Sequence, residues 1–324
     1  MTPPVGKKTV LRGALRRKKG IPVHGWIILD KPPGLTSAQA VARVRKAYDA
    51  QKCGHAGTLD PMATGVLPIA LGEATKTTSL VTGDHKSYGF RIRWGESTDT
   101  LDAEGNVIAK SDARPSQAAI EAALPGFVGD VPQIPPDYSA IKVDGKRAYD
   151  LARSGKELDL STRIVHISRL SLIGVPDSDH ADFELDCGKG CYIRAVARDL
   201  AALLGVCGHV VRLRRTAVGA ATAGRAVSLD AIEGEVASRP EPLSIQTMLD
   251  GIPALALSEE EAGRLRQGRT VALLSRDAPK RLEQIKAART APDATVLAVC
   301  RIGPVALVRL DGPRVVPIRV FNLS

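Results

Sequence analysis

The chain has 324 residues, more than one compact core usually holds, so two domains are expected; with 44% hydrophobic and 25% charged residues, global disorder is excluded. Apolar runs such as Val66 to Leu71 fall far short of the ~18 to 20 residues that cross a bilayer, so no membrane partner is expected. The net charge is +10, and Lys7, Lys8, Arg12, Arg16, Arg17, Lys18 and Lys19 supply seven of it before the first acid, Asp30. Residues 1–24 therefore read as a basic, disordered tail, open to three uses: contact with nucleic acid, a solvated extension, or an arginine-rich organellar presequence.

Five cysteines are an odd, sparse set that suits a reducing cytosol better than a disulfide framework. Cys187, Cys191, Cys207 and His209 lack the C-x-x-C spacing of a zinc site, so no metal is assigned. Aromatic residues are only 3% of the chain, so the core must be built from Val, Ile, Leu and Ala, and no stacking platform for single strands exists.

In chain order, Gly25 to Asp30 reads as a short buried strand stopped by the turn Lys31-Pro32-Pro33-Gly34. Thr36 or Ser37 then caps a helix to about Tyr48, with Val41, Val44 and Tyr48 at helical spacing. Gly54 to Gly65 is rich in breakers and reads as a loop, followed by the buried strand Val66 to Leu71. Lys86 to Gly95 alternates, with Tyr88, Phe90, Ile92 and Trp94 on one face, as a half-buried strand does. Ser116 to Leu124 reads as a helix, Pro132 to Pro136 interrupts regular structure, and the polar, basic stretch from about 137 to 162 reads as an excursion from the core.

Ile164 to Leu172 and Ala181 to Cys187 read as paired strands, Ile193 to Leu204 as a helix closed by Gly205, and His209 to Val218 as a further strand. Beyond Pro253 the chain reads as short β segments at 295–302, 305–310 and 315–320. The mix lacks a regular βαβ rhythm, so the fold class is α+β, with domains at 25–248 and 249–324. No G-x-G-x-x-G follows the first strand and no P-loop motif occurs, which leaves dinucleotide and phosphate-loop readings without support.

The most informative segment is Gly54-His55-Ala56-Gly57-Thr58-Leu59-Asp60-Pro61-Met62-Ala63-Thr64-Gly65. Asp60 stands among apolar residues in a loop tightened by glycines. A carboxylate that loses water there becomes a better nucleophile or base, provided a cation keeps it ionised. An Asx-turn or helix-cap aspartate is the more ordinary reading of the same pattern. Tyr88, on the apolar face of its strand, is equally readable as a core tyrosine with its hydroxyl at the rim.

This segment resembles the catalytic motif of pseudouridine synthases. The flanking sequence is similar to the TruB-type bacterial branch, which modifies the T-loop uridine of tRNA. The similarity includes Gly25 to Gly34 (GWIILDKPPG), Leu71 to Lys76, Lys86-Ser87-Tyr88, Gly95 to Asp102 (GESTDTLD), Pro135 to Lys142 (PPDYSAIK), Lys189 to Leu200 (KGCYIRAVARDL) and His209 to Thr216 (HVVRLRRT).

The resemblance implies a mixed, largely antiparallel sheet with flanking helices, followed by a small β-rich, PUA-like C-terminal domain. It makes Asp60 the attacking aspartate, Tyr88 the tyrosine at the base and Arg194 the bidentate partner of Asp60, in a closed, dry pocket around a flipped-out nucleotide. His55, Tyr192, Leu213 and Lys31 match residues that bind the target. Cys191 stands where the family usually has threonine or serine. Lys142, Lys146, Arg147, Arg153, Arg214 and Arg215 are expected to grip the RNA. The partner implied is the T-stem-loop of tRNA, with no cofactor, and the protein is expected to be a cytoplasmic monomer.

Overall fold

A computed structural model describes residues 20–82, 85–139, 141–143, 146, 147, 149, 151, 159–288, 291 and 294–323. The tail up to residue 19, Arg153, and the side chains of Lys142, Lys146 and Arg147 lie outside the described residues.

In chain order the strands of the first domain are β1 (Gly25–Lys31), β2 (Cys53–His55), β3 (Thr64–Leu71), β4 (Lys86–Trp94), β5 (Glu96–Thr98), β6 (Val107–Lys110), β7 (Gly129–Gln133), β8 (Lys142–Val143), β9 (Lys146–Arg147), β10 (Arg163–Asp177), β11 (His180–Cys187), β12 (Gly208–Val218), β13 (Ala221–Thr222) and β14 (Val227–Ser228). Ten of them form one sheet in the order β14-β1-β3-β12-β4-β11-β10-β7, with β2 paired to β3 and β13 to β12. Only the β1–β14 and β3–β12 pairs are parallel, so the sheet is mixed and largely antiparallel, as expected.

The alternation read in β4 holds: Tyr88, Phe90, Ile92 and Trp94 all enter the larger core, where Phe90 stacks on Phe183 with ring centroids 5.2 Å apart. Helices cover that face. Ser37–Ala47 is started by a capping box between Thr36 and Gln39 and buries Ala40 and Val44. Ile193–Leu203 buries Ile193, Val196, Ala197, Leu200 and Ala201, the spacing of one helical stripe.

Pro132 does not interrupt the fold. It lies in β7, the last strand of the sheet, where a missing N–H leaves no interior ladder bond unmade. The expected loop 54–65 is also shorter at both ends, because Cys53–His55 and Thr64–Gly65 pair into the sheet.

The C-terminal domain is a five-stranded sheet, β15 (Ala254–Ala256), β16 (Val271–Ala272), β17 (Val296–Cys300), β18 (Gly303–Asp311) and β19 (Arg314–Val320), ordered β15-β17-β18-β19-β16. It also carries helices Glu259–Arg266 and Ala278–Ala288, which the reading as β segments alone left out. Leu297, Leu307 and Phe321 of this domain share one buried cluster with Trp26, Ile28, Val66 and Ala70 on the far face of the large sheet. Lys76 clamps the junction by donating to the Val320 carbonyl, 2.7 Å away.

Candidate active site

Asp60 lies in the turn between β2 and β3, and almost every peptide carbonyl around it has a partner. Arg215 donates to the carbonyls of Gly57 and Thr58 at 3.0 and 3.1 Å, and Ser37 Oγ donates to that of Leu59 at 2.9 Å. Ala63 N–H donates to the Asp60 carbonyl at 3.1 Å, while Lys31 Nζ and Gly34 N–H converge on that of Pro61 at 3.1 and 2.9 Å. Ser37 Oγ also accepts from Leu59 N–H at 2.8 Å. A loop with its polar groups so satisfied keeps one conformation, and its aspartate side chain has one place to go.

That side chain meets Arg194. Nε of Arg194 donates to Oδ2 of Asp60 at 2.9 Å, while Nη1 and Nη2 donate to the carbonyls of Thr100 and Tyr138 at 2.8 and 2.9 Å. The contact is therefore single, not the bidentate pair expected, because the terminal nitrogens are already engaged. A second carboxylate, Asp102, lies 3.5 Å from Nη1. Arg194 is buried, whereas the Asp60 side chain keeps 31% of its surface. The Asp60 carboxylate is thus partly open to solvent, where a substrate can approach.

Lys31 is wholly buried, its ammonium donating to the carbonyls of Pro32, Leu35 and Pro61. Burial pulls its pKa down to about 8, opposed by the negative charges of Asp60 and Glu104. It holds the loop, and in this structure it does not face the opening. Tyr88 stands on β4 between Leu185 of β11 and Arg215 of β12. Burial pushes its phenol up to about 12, against the opposing pull of the Arg215 guanidinium.

Tyr192 precedes the Arg194 helix, fixed by reciprocal bonds between its backbone and the Gln133 amide at 2.8 and 3.2 Å. The pKa of its phenol is raised by burial. Leu213 is buried beside Phe90 on the core face, and His55 ends β2 opposite Ile69, partly exposed. The neighbouring Cys191 thiol holds that of Cys187 below its ordinary pKa, and is itself pushed up by Cys187 and by burial.

Two of the expected RNA-gripping residues are placed differently. Arg215 is 1% exposed and directs its guanidinium at the carbonyls of Gly57, Thr58 and Val66, so it cannot reach a phosphate. Arg214 points to the opposite face and pairs bidentately with Asp30, both contacts at 2.9 Å, with 42% of its side chain exposed. Ser37 was read only as a candidate helix cap. Its contact with Leu59 joins residues 22 apart and has no local signature.

A sequence model of the TruB family pseudouridylate synthase N-terminal domain matches residues 45–193, and one of the tRNA pseudouridylate synthase B C-terminal domain matches residues 194–250. The tRNA pseudouridine synthase B of Caulobacter sp. (strain K31) is 52% identical over 312 residues, covering 95% of this chain and 99% of its own. The chain belongs to the TruB family of pseudouridylate synthases. The tRNA pseudouridine synthase B of Bradyrhizobium diazoefficiens is 47% identical over 310 residues, covering 93% of this chain and 87% of its own.

Among solved structures, a chain of an H/ACA RNP bound to a substrate RNA containing 2′-deoxyuridine superposes with TM-score 0.68 at 20% identity, covering 95% of this chain and 92% of its own. A chain of an archaeal box H/ACA sRNP Nop10-Cbf5 complex gives 0.66 at 19% identity, covering 95% and 93%. At such identities the likeness establishes the fold, and the fold is that of a pseudouridine synthase. Membership of the family makes the chain an enzyme that isomerises uridine to pseudouridine, and its curated relatives are tRNA enzymes by name.

Proposed function

We propose that the chain converts the T-loop uridine of tRNA, position 55, to pseudouridine, with Asp60 as the nucleophile on a flipped-out nucleotide. The observation that carries this reading is the Asp60 carboxylate, partly open to solvent and held by the buried Arg194 at 2.9 Å. The reaction breaks the bond between C1′ and N1 of uracil and forms one between C1′ and C5. N1 gains a proton and C5 loses one, so atoms balance without a cofactor.

Asp60 attacks the flipped nucleotide and carries one half of it while the base turns. Arg194 keeps the carboxylate aimed. Tyr88 contacts the base and exchanges a proton with it, and the Tyr192, Leu213 and His55 side chains bound the space in which it turns. Extruding the base costs a few kcal/mol, which pocket contacts return. Lys142, Lys146, Arg147, Arg153 and the exposed edge of Arg214 bind phosphates of the stem-loop.

The protein acts as a cytoplasmic monomer on this reading. Among the described residues no helix is long and apolar enough to cross a membrane. The test is incubation of the enzyme with an unmodified tRNA transcript, followed by mapping of pseudouridine. Modification confined to another position would overturn the assignment of the T-loop.

A further inference from the structure

Arg215 occupies a position that the chemistry assigned to Asp60, Tyr88 and Arg194 leaves unexplained. It is 1% exposed, and each of its three nitrogens donates to a carbonyl: Nε to Val66 at 2.8 Å, Nη1 to Thr58 at 3.1 Å and Nη2 to Gly57 at 3.0 Å. These acceptors are neutral, so burying this cation costs desolvation that an apolar side chain at the same place would not incur. Its three hydrogen bonds offset part of that cost, so an arginine here has a stabilising use but needs a further reason.

Its surroundings supply one. In the sheet Arg215 pairs with Gly65 of β3 on one side and with Tyr88 of β4 on the other. The Gly57 and Thr58 carbonyls belong to the turn that presents Asp60, and Tyr88 stands directly opposite Arg215 across the β4–β12 ladder, so that both side chains project from one face of the sheet. The turn packs directly on the guanidinium: a Cβ on Gly57, at φ +88°, would lie 3.4 Å from Nη1. A planar guanidinium can hold two adjacent carbonyls and a third group at fixed spacing, whereas an ammonium cannot span them together.

We propose that Arg215 is a positioning residue that couples the Asp60 loop to Tyr88, fixing the distance between the nucleophile and the group on the other side of the target base. The proposal rests on the roles given above to Asp60 and Tyr88. Lys31 secures the Pro61 end of the same loop, so Asp60 is suspended between two buried cations. The spacing is set before RNA arrives, and a displacement of about 1 Å can cost on the order of a hundredfold in rate.

The experiment compares wild type, Arg215→Lys and Arg215→Met for single-turnover rate at saturating tRNA, for tRNA Kd, and by NMR of protein labelled at tyrosine Cζ, with Tyr88 assigned from Tyr88→Phe. Expected for Arg215→Met are a rate loss on the order of a hundredfold, Kd within about threefold and a displaced Tyr88 signal, with the signals of Tyr48, Tyr138 and Tyr149 unmoved; Arg215→Lys recovers part of the rate. A general structural role would instead move the signals of all the tyrosines; a lower melting temperature is expected in either case, because three buried carbonyls lose their partner. A Met variant within about threefold of the wild-type rate, or an unmoved Tyr88 signal, overturns the coupling.

Should both variants fail to fold, the wild-type protein still decides. Its Arg215 guanidinium protons must exchange slowly and show hindered rotation, and rapid averaging overturns the clamp. A wild-type enzyme that leaves tRNA unmodified refutes the reading of the site itself, whereas an active wild type with an equally active Arg215→Met removes only the role of Arg215.

Discussion

Arg194 holds Asp60 through Nε alone, at 2.9 Å from Oδ2, because its other two nitrogens are committed to the carbonyls of Thr100 and Tyr138. One residue therefore orients the Asp60 carboxylate and joins it to two segments, at Thr100 and Tyr138.

Arg194→Lys should accordingly fail in two ways. The ammonium cannot meet Asp60 and both carbonyls, so buried acceptors lose partners at a cost of about 1 to 3 kcal/mol each. Single-turnover rate should fall at least a hundredfold, and the denaturation midpoint should drop with it. A variant with normal stability and normal rate would remove Arg194 from both roles.

Tyr88→Phe keeps the ring between Leu185 and Arg215 and removes only the hydroxyl. tRNA should bind with nearly unchanged Kd while single-turnover rate is largely lost, since the group proposed to exchange a proton is gone. Equal rates in the two proteins would exclude Tyr88 from the chemistry.

Lys31 gives a pH dependence of unusual sign. Its ammonium serves three carbonyls, and with a pKa of about 8 it loses one of its three donors as pH rises through that value. The rate of the bound complex should fall above about pH 8, and this limb should be missing from Lys31→Met, which is slow throughout. The folded pKa lies below the ordinary 10.5, so between about 8 and 10.5 the unfolded chain binds more protons, and the contribution of Lys31 to stability rises with pH. Activity and this part of stability thus move in opposite directions, which separates the effect from alkaline unfolding. A flat profile from pH 7 to 9 would contradict it.

Ser37→Ala removes both contacts to Leu59, leaving a buried N–H and C=O without that partner. A loss of about 1 to 3 kcal/mol in denaturant unfolding is expected, with a slower single-turnover rate and unchanged tRNA affinity. An unaltered rate would mean that the loop holds its shape without this bond.

What the sequence reveals depends on whether the signal is local. Alternation in β4 placed Tyr88 on the core face, and the breaker-rich turn marked Asp60, because period and turn chemistry are written in neighbouring residues. Arg215 looked like a surface cation beside Arg214, yet period two had already settled it: with Leu213 inward, Arg215 must also point inward and Arg214 outward. Charge outweighed pattern in that reading, and pattern was the better guide. The helix Glu259–Arg266 carried its own sign in the Ser258-to-Glu261 capping box. By contrast the Ser37–Leu59 bond and the engagement of Arg194 with Thr100 and Tyr138 arise from tertiary approach across 22, 94 and 56 residues, which no local pattern records.

The most direct test of the central claim is a map of pseudouridine at every uridine of an unmodified tRNA transcript, after incubation with wild-type protein and with Asp60→Asn. Asparagine is nearly isosteric with aspartate but cannot act as nucleophile. Wild type should modify position 55 of the T-loop alone, and Asp60→Asn should modify nothing while binding the same tRNA within about tenfold of the wild-type affinity. Pseudouridine formed at position 55 by Asp60→Asn at a rate near wild type would contradict the account.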